Sequence, residues 1–438
     1  MKNPNPEASG TPETRGTFSW GRTRQTKQRV LDLDPMHPAP WAGPAIPYGN
    51  GRSYGDSCLV DGGTLLRTRR LDAWIGFDPS TGVLEVESGV RMDQILGALV
   101  PRGFFIPITL GTKLITIGGA IGNDIHGKNH HVAGTFGHHV AELELWRSDG
   151  RVIRCSPEEN ADWFAATIGG LGLTGIVRSA KIRLPRVPSG WVRSETIPFA
   201  DIDEFVDLCE ASDRFVHTAA WVDLMNFQTL GRGIFFRGDF CEASRPLPRG
   251  LRVQVPFSMP AALLSDPAMR LFNDAYFARN AAKGKAAIVP YDAFFFPLDG
   301  IGAWNRMYGR RGFFQYQCVV PAPDARAAMR AVLAYLRDRS VQAYLGVAKA
   351  FGAKPSIGML SFPREGLTLS IDLPNNGART LAWMDDLDRI VAEAGGAVYP
   401  AKDARMSREN FRKFFPRWEA FSRFVDPGCV SDFWRRVG

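Results

Sequence analysis

The stretch Gly49-Asn50-Gly51-Arg52-Ser53-Tyr54-Gly55-Asp56-Ser57 sets three glycines among hydroxyl and amide side chains with no apolar run between them. A second stretch of this texture holds Gly111-Thr112 and then Thr116-Ile117-Gly118-Gly119-Ala120-Ile121-Gly122-Asn123-Asp124-Ile125-His126-Gly127-Lys128-Asn129. A third runs Gly169-Gly170-Leu171-Gly172-Leu173-Thr174-Gly175. Glycine lets the backbone approach a ligand closely and aim successive N–H groups at one anion. One such loop reads as a tight turn, whereas three favour a cradle for a pyrophosphate that needs no helix dipole. The spacing is not that of a Rossmann loop, because Tyr54 occupies the third glycine position after Gly49 and Gly51, and no clear amphipathic helix follows. No Gly-Lys is followed by Ser or Thr, which excludes a P-loop NTPase.

Around these loops the first third of the chain reads as short strands. Gly63 to Thr68 is one. Trp74 to Phe77 and Val83 to Val86 flank a Pro/Gly turn and form a hairpin, and Val140 to Trp146 and Arg151 to Cys155 form another across Ser148-Asp149-Gly150. Met92 to Val100 has helical spacing. Pro157 to Ile168 is predicted as a helix capped by Ser156 with Glu159 completing a capping box, and Gly175 to Leu184 is a strand ending at Pro185. Near residue 188 the texture changes. A strand (Trp191 to Ile197) and a helix (Asp201 to Ala211) begin, then residues 242–290 lose periodicity among six prolines and read as a long loop excursion. Strands at Phe313 to Val320, Ala343 to Phe351 and Leu367 to Leu373 alternate with helices at Ala322 to Asp338 and Thr380 to Ala394, so this unit is α+β. Residues 398–438 are aromatic, basic and helical with no core of their own.

The chain has 438 residues, enough for two or three domains with real cores at roughly 150 residues each. Its 53 Lys+Arg exceed its 45 Asp+Glu, a net charge of +8, but the basic residues are scattered and only 11 are Lys. That pattern favours an anionic ligand or membrane face over nucleic acid. The six cysteines lie at least 32 residues apart with no CxxC, which speaks against a cysteine zinc site or redox pair and fits a reducing compartment. Residues 1–16 read as a disordered tail and not a signal peptide, and no run of about 18 apolar residues exists to span a membrane. Five of seven histidines fall between His126 and His139, yet Gly127 and Asn129 oppose a helix that would face His126 and His130 together, so no metal is expected.

The order Gly-x-Gly-Arg-Ser-Tyr-Gly-Asp (49–56), Gly-Thr (111–112), Thr-Ile-Gly-Gly-Ala-Ile (116–121) and Gly-Leu-Thr-Gly-Ile (172–176) resembles the flavin domain of the vanillyl-alcohol-oxidase class of FAD enzymes. Within that class, Asp124-Ile125-His126-Gly127-Lys128-Asn129-His130-His131, Trp304-Asn305-Arg306-Met307-Tyr308-Gly309, Gln315-Tyr316-Gln317 and Tyr399-Pro400-Ala401-Lys402-Asp403 resemble the family of oxidase subunits of decaprenylphosphoryl-β-D-ribose 2′-epimerase. The resemblance runs from about residue 40 to the C-terminus and is weak only across 240–290.

The resemblance implies an α+β fold: an FAD domain of residues 17–188 joined by a returning segment, 398–438, with a substrate domain, 189–397, inserted as an antiparallel sheet flanked by helices. FAD would contact Gly49 to Asp56, Gly111, Thr112, Thr116 to Gly119, Asn123 to Gly127, Ile176 and Tyr399. It would be held non-covalently, because Arg52 stands where covalent members carry histidine; a place near the pyrophosphate and a structural salt bridge are both open to Arg52. Lys402, His126 and Lys128 are the implied catalytic residues, and Lys128, Phe295, Gln317, Lys349, Phe351, Thr368, Ser370 and Lys402 the implied substrate contacts. Phe294-Phe295-Phe296 reads equally as core or as a wall for a lipid chain. The implied reaction is oxidation of the 2′-hydroxyl of a polyprenyl-phosphoryl-β-D-ribofuranose, the ketone passing to an NADH-dependent short-chain reductase, in the cytoplasm at the inner membrane face. The alternatives are an FAD oxidase of a soluble polyol or aldonolactone, and a non-catalytic binder of anionic polymers. At Ser370 the family's best-known members carry cysteine, the nucleophile that nitroaromatic inhibitors attack, so inhibition by such compounds is expected to be weak or reversible.

Overall fold

The structure, a computed structural model, describes residues 13–35, 40–248, 250, 253–260, 264–282 and 286–438. The glycine-punctuated first third folds as two sheets. In one, Glu13–Phe18 pairs antiparallel with Gln25–Asp32, and Thr64–Arg67 lies parallel between Gln25–Asp32 and Ala45–Tyr48. Residues 13–16, expected in a disordered tail, therefore belong to a strand; residues 1–12 lie outside the described set. The other sheet is antiparallel, in the order Trp74–Asp78, Val83–Glu87, Ile176–Arg183, Val140–Trp146, Val152–Cys155, and includes both expected hairpins. Met92–Leu99 turns Met92, Ile95, Leu96 and Leu99 into the core of this part, as its 3–4 spacing requires.

Two local readings fail for identifiable reasons. Ser156 Oγ does accept the N–H groups of Glu158 and Glu159, but it closes a local turn; the helix begins only at Ala161, after Asn160 adopts φ +50°. The second glycine segment, read as a loop, contains the six-residue helix Ile117–Gly122, with Thr116 Oγ1 accepting from Gly119 N.

The larger sheet has eight antiparallel strands in the order Ala287–Pro290, Trp191–Phe199, Gly233–Cys241, His217–Val222, Leu345–Phe351, Gly366–Pro374, Phe313–Pro321, Ala397–Val398. Helices Ile202–Glu210, Ala325–Asp338 and Ala378–Glu393 pack on it through Phe205, Met329, Val332, Leu336, Leu387 and Val391. The excursion read as a loop contains a 16-residue helix, Asp266–Ala281. Its pattern is inverted. Asn273 and Asn280 are buried while Leu271 and Phe272 are 72% and 60% exposed, so no inward apolar period marks it in the sequence. Asn273 is held by a hydrogen bond to Asp223.

The C-terminal helices Arg408–Phe414, Trp418–Ser422 and Asp432–Val437 bury Phe411, Phe414, Phe421 and Phe433 in one cluster with Ile46, Leu65 and Val398. Cross-links to the first sheet and the first glycine loop include Ala45 N to Gly428 O and the Arg436–Asp56 ion pair. Among the described residues no helix is long and apolar enough to cross a membrane.

Candidate active site

Three neighbouring strands form one wall of the site. Gln317 stands in register with Ser370, and Ser370 with Val347; the next row holds Gln315, Asp372 and Leu345, and the row on the other side places Thr368 beside Lys349. Side chains alternate across a sheet. Tyr316, Cys318, Ala348, Leu369 and Ile371 consequently enter the core on the helix-covered face. Gln315, Gln317, Leu345, Val347, Lys349 and Ser370 face a cavity of about 330 Å³.

The glycine loops form the other wall. Gly49 to Tyr54, Gly111, Thr112, Thr116, Gly118, Gly119, Asn123, Ile125, His126 and Tyr399 all line the cavity, and so do Leu171, Gly172, Thr174 and Gly175 of the third loop. Gly51 has φ +59°, and a Cβ there would fall 2.1 Å from the Tyr48 hydroxyl; one on Gly49 would fall 2.4 Å from Thr116 Oγ1. Among the described residues the backbone N–H groups of Asn50, Gly51, Arg52 and Ser53 have no protein acceptor. Ser88 Oγ and Arg52 Nε are likewise buried without a partner. The Arg52 guanidinium forms no ion pair among the described residues and lies 4.0 Å from the Trp20 ring centroid. A row of unpaired donors behind small residues suits a ligand rich in phosphate oxygens, so the donor set fits FAD.

Lys402 reaches the cavity because the first glycine loop clamps its segment. Tyr54 N donates to Ala401 O (3.1 Å), Asp56 N donates to Asp403 O (3.2 Å), and a Cβ on Gly55 would lie 1.5 Å from that same Asp403 oxygen. Lys402 Nζ then donates to Ser370 Oγ at 3.1 Å. In the adjacent row, buried Asp372 accepts from the Tyr308 hydroxyl (2.8 Å) and from Gln315 Nε2 (2.5 Å). Burial and then the nearby Lys349 charge push the Lys402 ammonium well below its usual range, with Asp372 opposing. Burial brings Lys349 down to about 8. It also raises the Asp372 carboxyl, against the Gln315 and Tyr308 hydrogen bonds and Lys402.

Gln317 Nε2 lies 2.8 Å from His126 Nε2 and 3.0 Å from Thr368 Oγ1, and the Thr368 hydroxyl donates to Cys318 O. His126 packs against the rings of Phe351, Phe362 and Tyr399. Burial, then Lys349 and Lys402, hold its imidazole far below the usual pKa, so it is neutral. Its Nδ1, together with Gln315 Oε1 and Gln317 Oε1, is buried without a partner among the described residues. The Tyr399 hydroxyl donates to Asn123 O.

Several expected residues do not line the cavity. Lys128, expected at the substrate, donates through Nζ to Phe295 O at 2.8 Å, because the Gly127 turn packs against the Thr109 backbone and carries it past the wall. Phe295 is fully buried among Phe105, Phe240 and His217, which decides for core over lipid wall. Phe351 and Thr368 stand one layer back, supporting His126 and Gln317. Of the expected cofactor contacts, Gly55 is occupied by the Asp403 approach and Asp56 pairs with Arg436. Ile117 is core, and Asp124 binds Gly137 N and the Ser361 hydroxyl. Gly127 packs on Thr109, and Ile176 sits in a core cluster with Trp146. The clustered histidines are tied to the backbone: His130 to Gly352 N, His131 to Phe215 O, His138 to Pro355 O and His139 to Ala133 O.

Sequence reasoning missed Trp20, Ser88, Leu298, Trp304 and Val347 on the cavity wall, and Asp299, which accepts from Thr112 Oγ1 and Lys113 N and so pins the second loop. Trp304 stood inside a motif already singled out. Trp20 and Asp299 carry no local signal, because only the fold brings them to the loops.

Residues 41–156 match the FAD binding domain family. With the cavity's donor set, that defines an FAD-dependent oxidoreductase. The decaprenylphosphoryl-β-D-ribose oxidase of Mycolicibacterium smegmatis is 33% identical, with 97% of each chain covered. The chain belongs to the decaprenylphosphoryl-β-D-ribose oxidase family. An uncharacterized protein in the mprA 5′ region of Streptomyces coelicolor is 32% identical over 80% of this chain and 100% of its own. The putative D-arabinono-1,4-lactone oxidase of Neurospora crassa is 31% identical over only 27% of this chain and 21% of its own.

Proposed function

We propose that this chain oxidises the 2′-hydroxyl of a polyprenyl-phosphoryl-β-D-ribofuranose to the 2′-ketone. The observation that carries the reading is the pairing of Lys402 and Lys349 at the sheet wall of the same cavity whose other wall is the donor-rich glycine cradle. The M. smegmatis relative, a decaprenylphosphoryl-β-D-ribose oxidase, supports the sugar. In this reading residues 17–188 with 398–438 hold FAD and residues 189–397 hold the substrate. Gly49 to Ser53, Ser88, Gly111, Thr112, Thr116, Gly118 and Gly119 would contact the cofactor. The absence of an imidazole at Arg52 leaves it non-covalent. Bound FAD supplies the two-electron acceptor chemistry.

The protein's own part is proton handling and orientation. Lys402 Nζ, left unprotonated by its depressed pKa, takes the 2′-hydroxyl proton, and Ser370 Oγ holds that amine in line. Lys349, a cation below about pH 8, pairs with the substrate phosphate. The free Gln317 Oε1 accepts a sugar hydroxyl while its amide is anchored on His126 and Thr368. Neutral His126 serves as an apolar-packed support and not as an acid. The ketone then passes to an NADH-dependent short-chain reductase, and the lipid tail brings the protein to the inner membrane face as a peripheral protein.

The test is the anaerobic visible spectrum before and after addition of a short-chain polyprenyl-phosphoryl ribose. The expected result is a flavin band near ~450 nm that bleaches on addition. A band that stays oxidised with this substrate but bleaches with a soluble aldonolactone would overturn the substrate assignment.

A further inference from the structure

Away from the flavin cavity, three arginines line one concavity with no acidic ion-pair partner among the described residues. Arg22, Arg310 and Arg311 line a surface concavity of about 460 Å³ together with Phe18, Thr23, Asn375, Asn376 and Gly377, and none of these eight residues is Asp or Glu. The convergence is built by backbone contacts. Phe313 N donates to Gly21 O at 2.8 Å, and Gly312, at φ +70°, lies where a Cβ would be 2.6 Å from the Arg22 carbonyl carbon. That contact locks the Arg310–Gly312 turn onto Arg22, which itself takes a left-handed φ of +58°.

None of the three guanidinium groups makes an ion pair among the described residues, and Arg22 Nε is buried there without a hydrogen-bond partner. Planar guanidinium forks match phosphate oxygens, so three of them lining one concavity suit an anion. The fourth side adds to the field. The helix Ala378–Glu393 starts at Gly377 with no acidic residue in its first turn and no side-chain cap.

We infer that Arg22, Arg310 and Arg311 form a second anion site that takes a phosphoryl group, either a free phosphorylated molecule or the headgroup of an anionic lipid. It shares no residue with the flavin cavity, but Arg22 lies two residues after Trp20, whose ring stacks on Arg52 inside that cavity.

The test uses the FAD-loaded enzyme and the double variant R310Q/R311Q, two exposed side chains whose replacement leaves the flavin spectrum and the thermal midpoint unchanged. Isothermal titration with inorganic pyrophosphate is expected to give saturable binding to the wild type and affinity weakened by about tenfold or more in the variant. Sedimentation with phosphatidylcholine vesicles, with and without phosphatidylglycerol, separates the sources. Variant-sensitive binding to the anionic vesicles alone, competed by pyrophosphate, assigns a lipid headgroup. Pyrophosphate binding without vesicle binding assigns a free phosphorylated ligand. Equal pyrophosphate affinity in wild type and variant, or no saturable binding of either probe, overturns the site.

Discussion

The two walls of the flavin cavity solve their tasks with different parts of the chain. The glycine wall works through backbone: Asn50 to Ser53 present free N–H groups, and Gly49, Gly51 and Gly55 are dictated by contacts of 2.4, 2.1 and 1.5 Å that a Cβ would make. The sheet wall works through side chains on three strands, where Gln317, Ser370 and Lys349 owe their positions to register and Lys349 owes its lowered pKa to burial. A backbone wall tolerates almost no change of residue but needs no titration. A side-chain wall tolerates change sterically and depends on charge.

The largest effect is expected where the two walls meet. Lys402→Met should slow anaerobic reduction of the bound flavin by substrate by roughly 10²–10⁴-fold while leaving the oxidised flavin spectrum unchanged. An unaltered reduction rate would remove Lys402 from the chemistry. Gly55→Ala strikes the clamp itself, since its Cβ would meet the Asp403 backbone. It should cost about 1–3 kcal/mol of stability in denaturant titration and slow reduction as well, because Lys402 moves with Asp403. A drop in stability with full activity would mean that the walls are independent.

A smaller effect concerns charge alone. Lys349 has an ordinary pKa of 10.5 in the unfolded chain and about 8 in the folded one. Between those values the unfolded chain binds the extra proton, so substrate-free stability rises with pH from about 8 to 10.5 and is lost again as pH falls through 8. Lys349→Met should flatten that rise in thermal melts taken across the same window; an unchanged slope would place the titration elsewhere. Smallest is Gln317→Leu. It unties His126 and Thr368 and should lower kcat by about fivefold with KM changed less, a split that simple loss of folded protein would not give.

The same contrast explains what could be read in advance. The three glycine loops, the amphipathic Met92–Leu99 and the alternating strands were legible because each obeys a local rule: a missing Cβ, a 3.6-residue period or a two-residue period. The Asp266–Ala281 helix was not, since it turns Leu271 and Phe272 outward and anchors through Asn273. Ser156 carried a cap signature that the chain spends on a turn.

By itself the sequence determined where the glycine loops lie, because close backbone approach and positive φ admit only glycine wherever the rest of the chain happens to lie. Only the tertiary structure decided the other wall. Lys128 and Lys402 look alike in sequence, each set in a polar motif. The Gly127 turn sends Lys128 to Phe295 O, and the Gly55 clamp brings Lys402 to Ser370. The physical reason is that a lysine's role depends on what surrounds its Nζ, and that is fixed by tertiary contacts such as those of Lys128 with Phe295 and of Gly55 with Asp403.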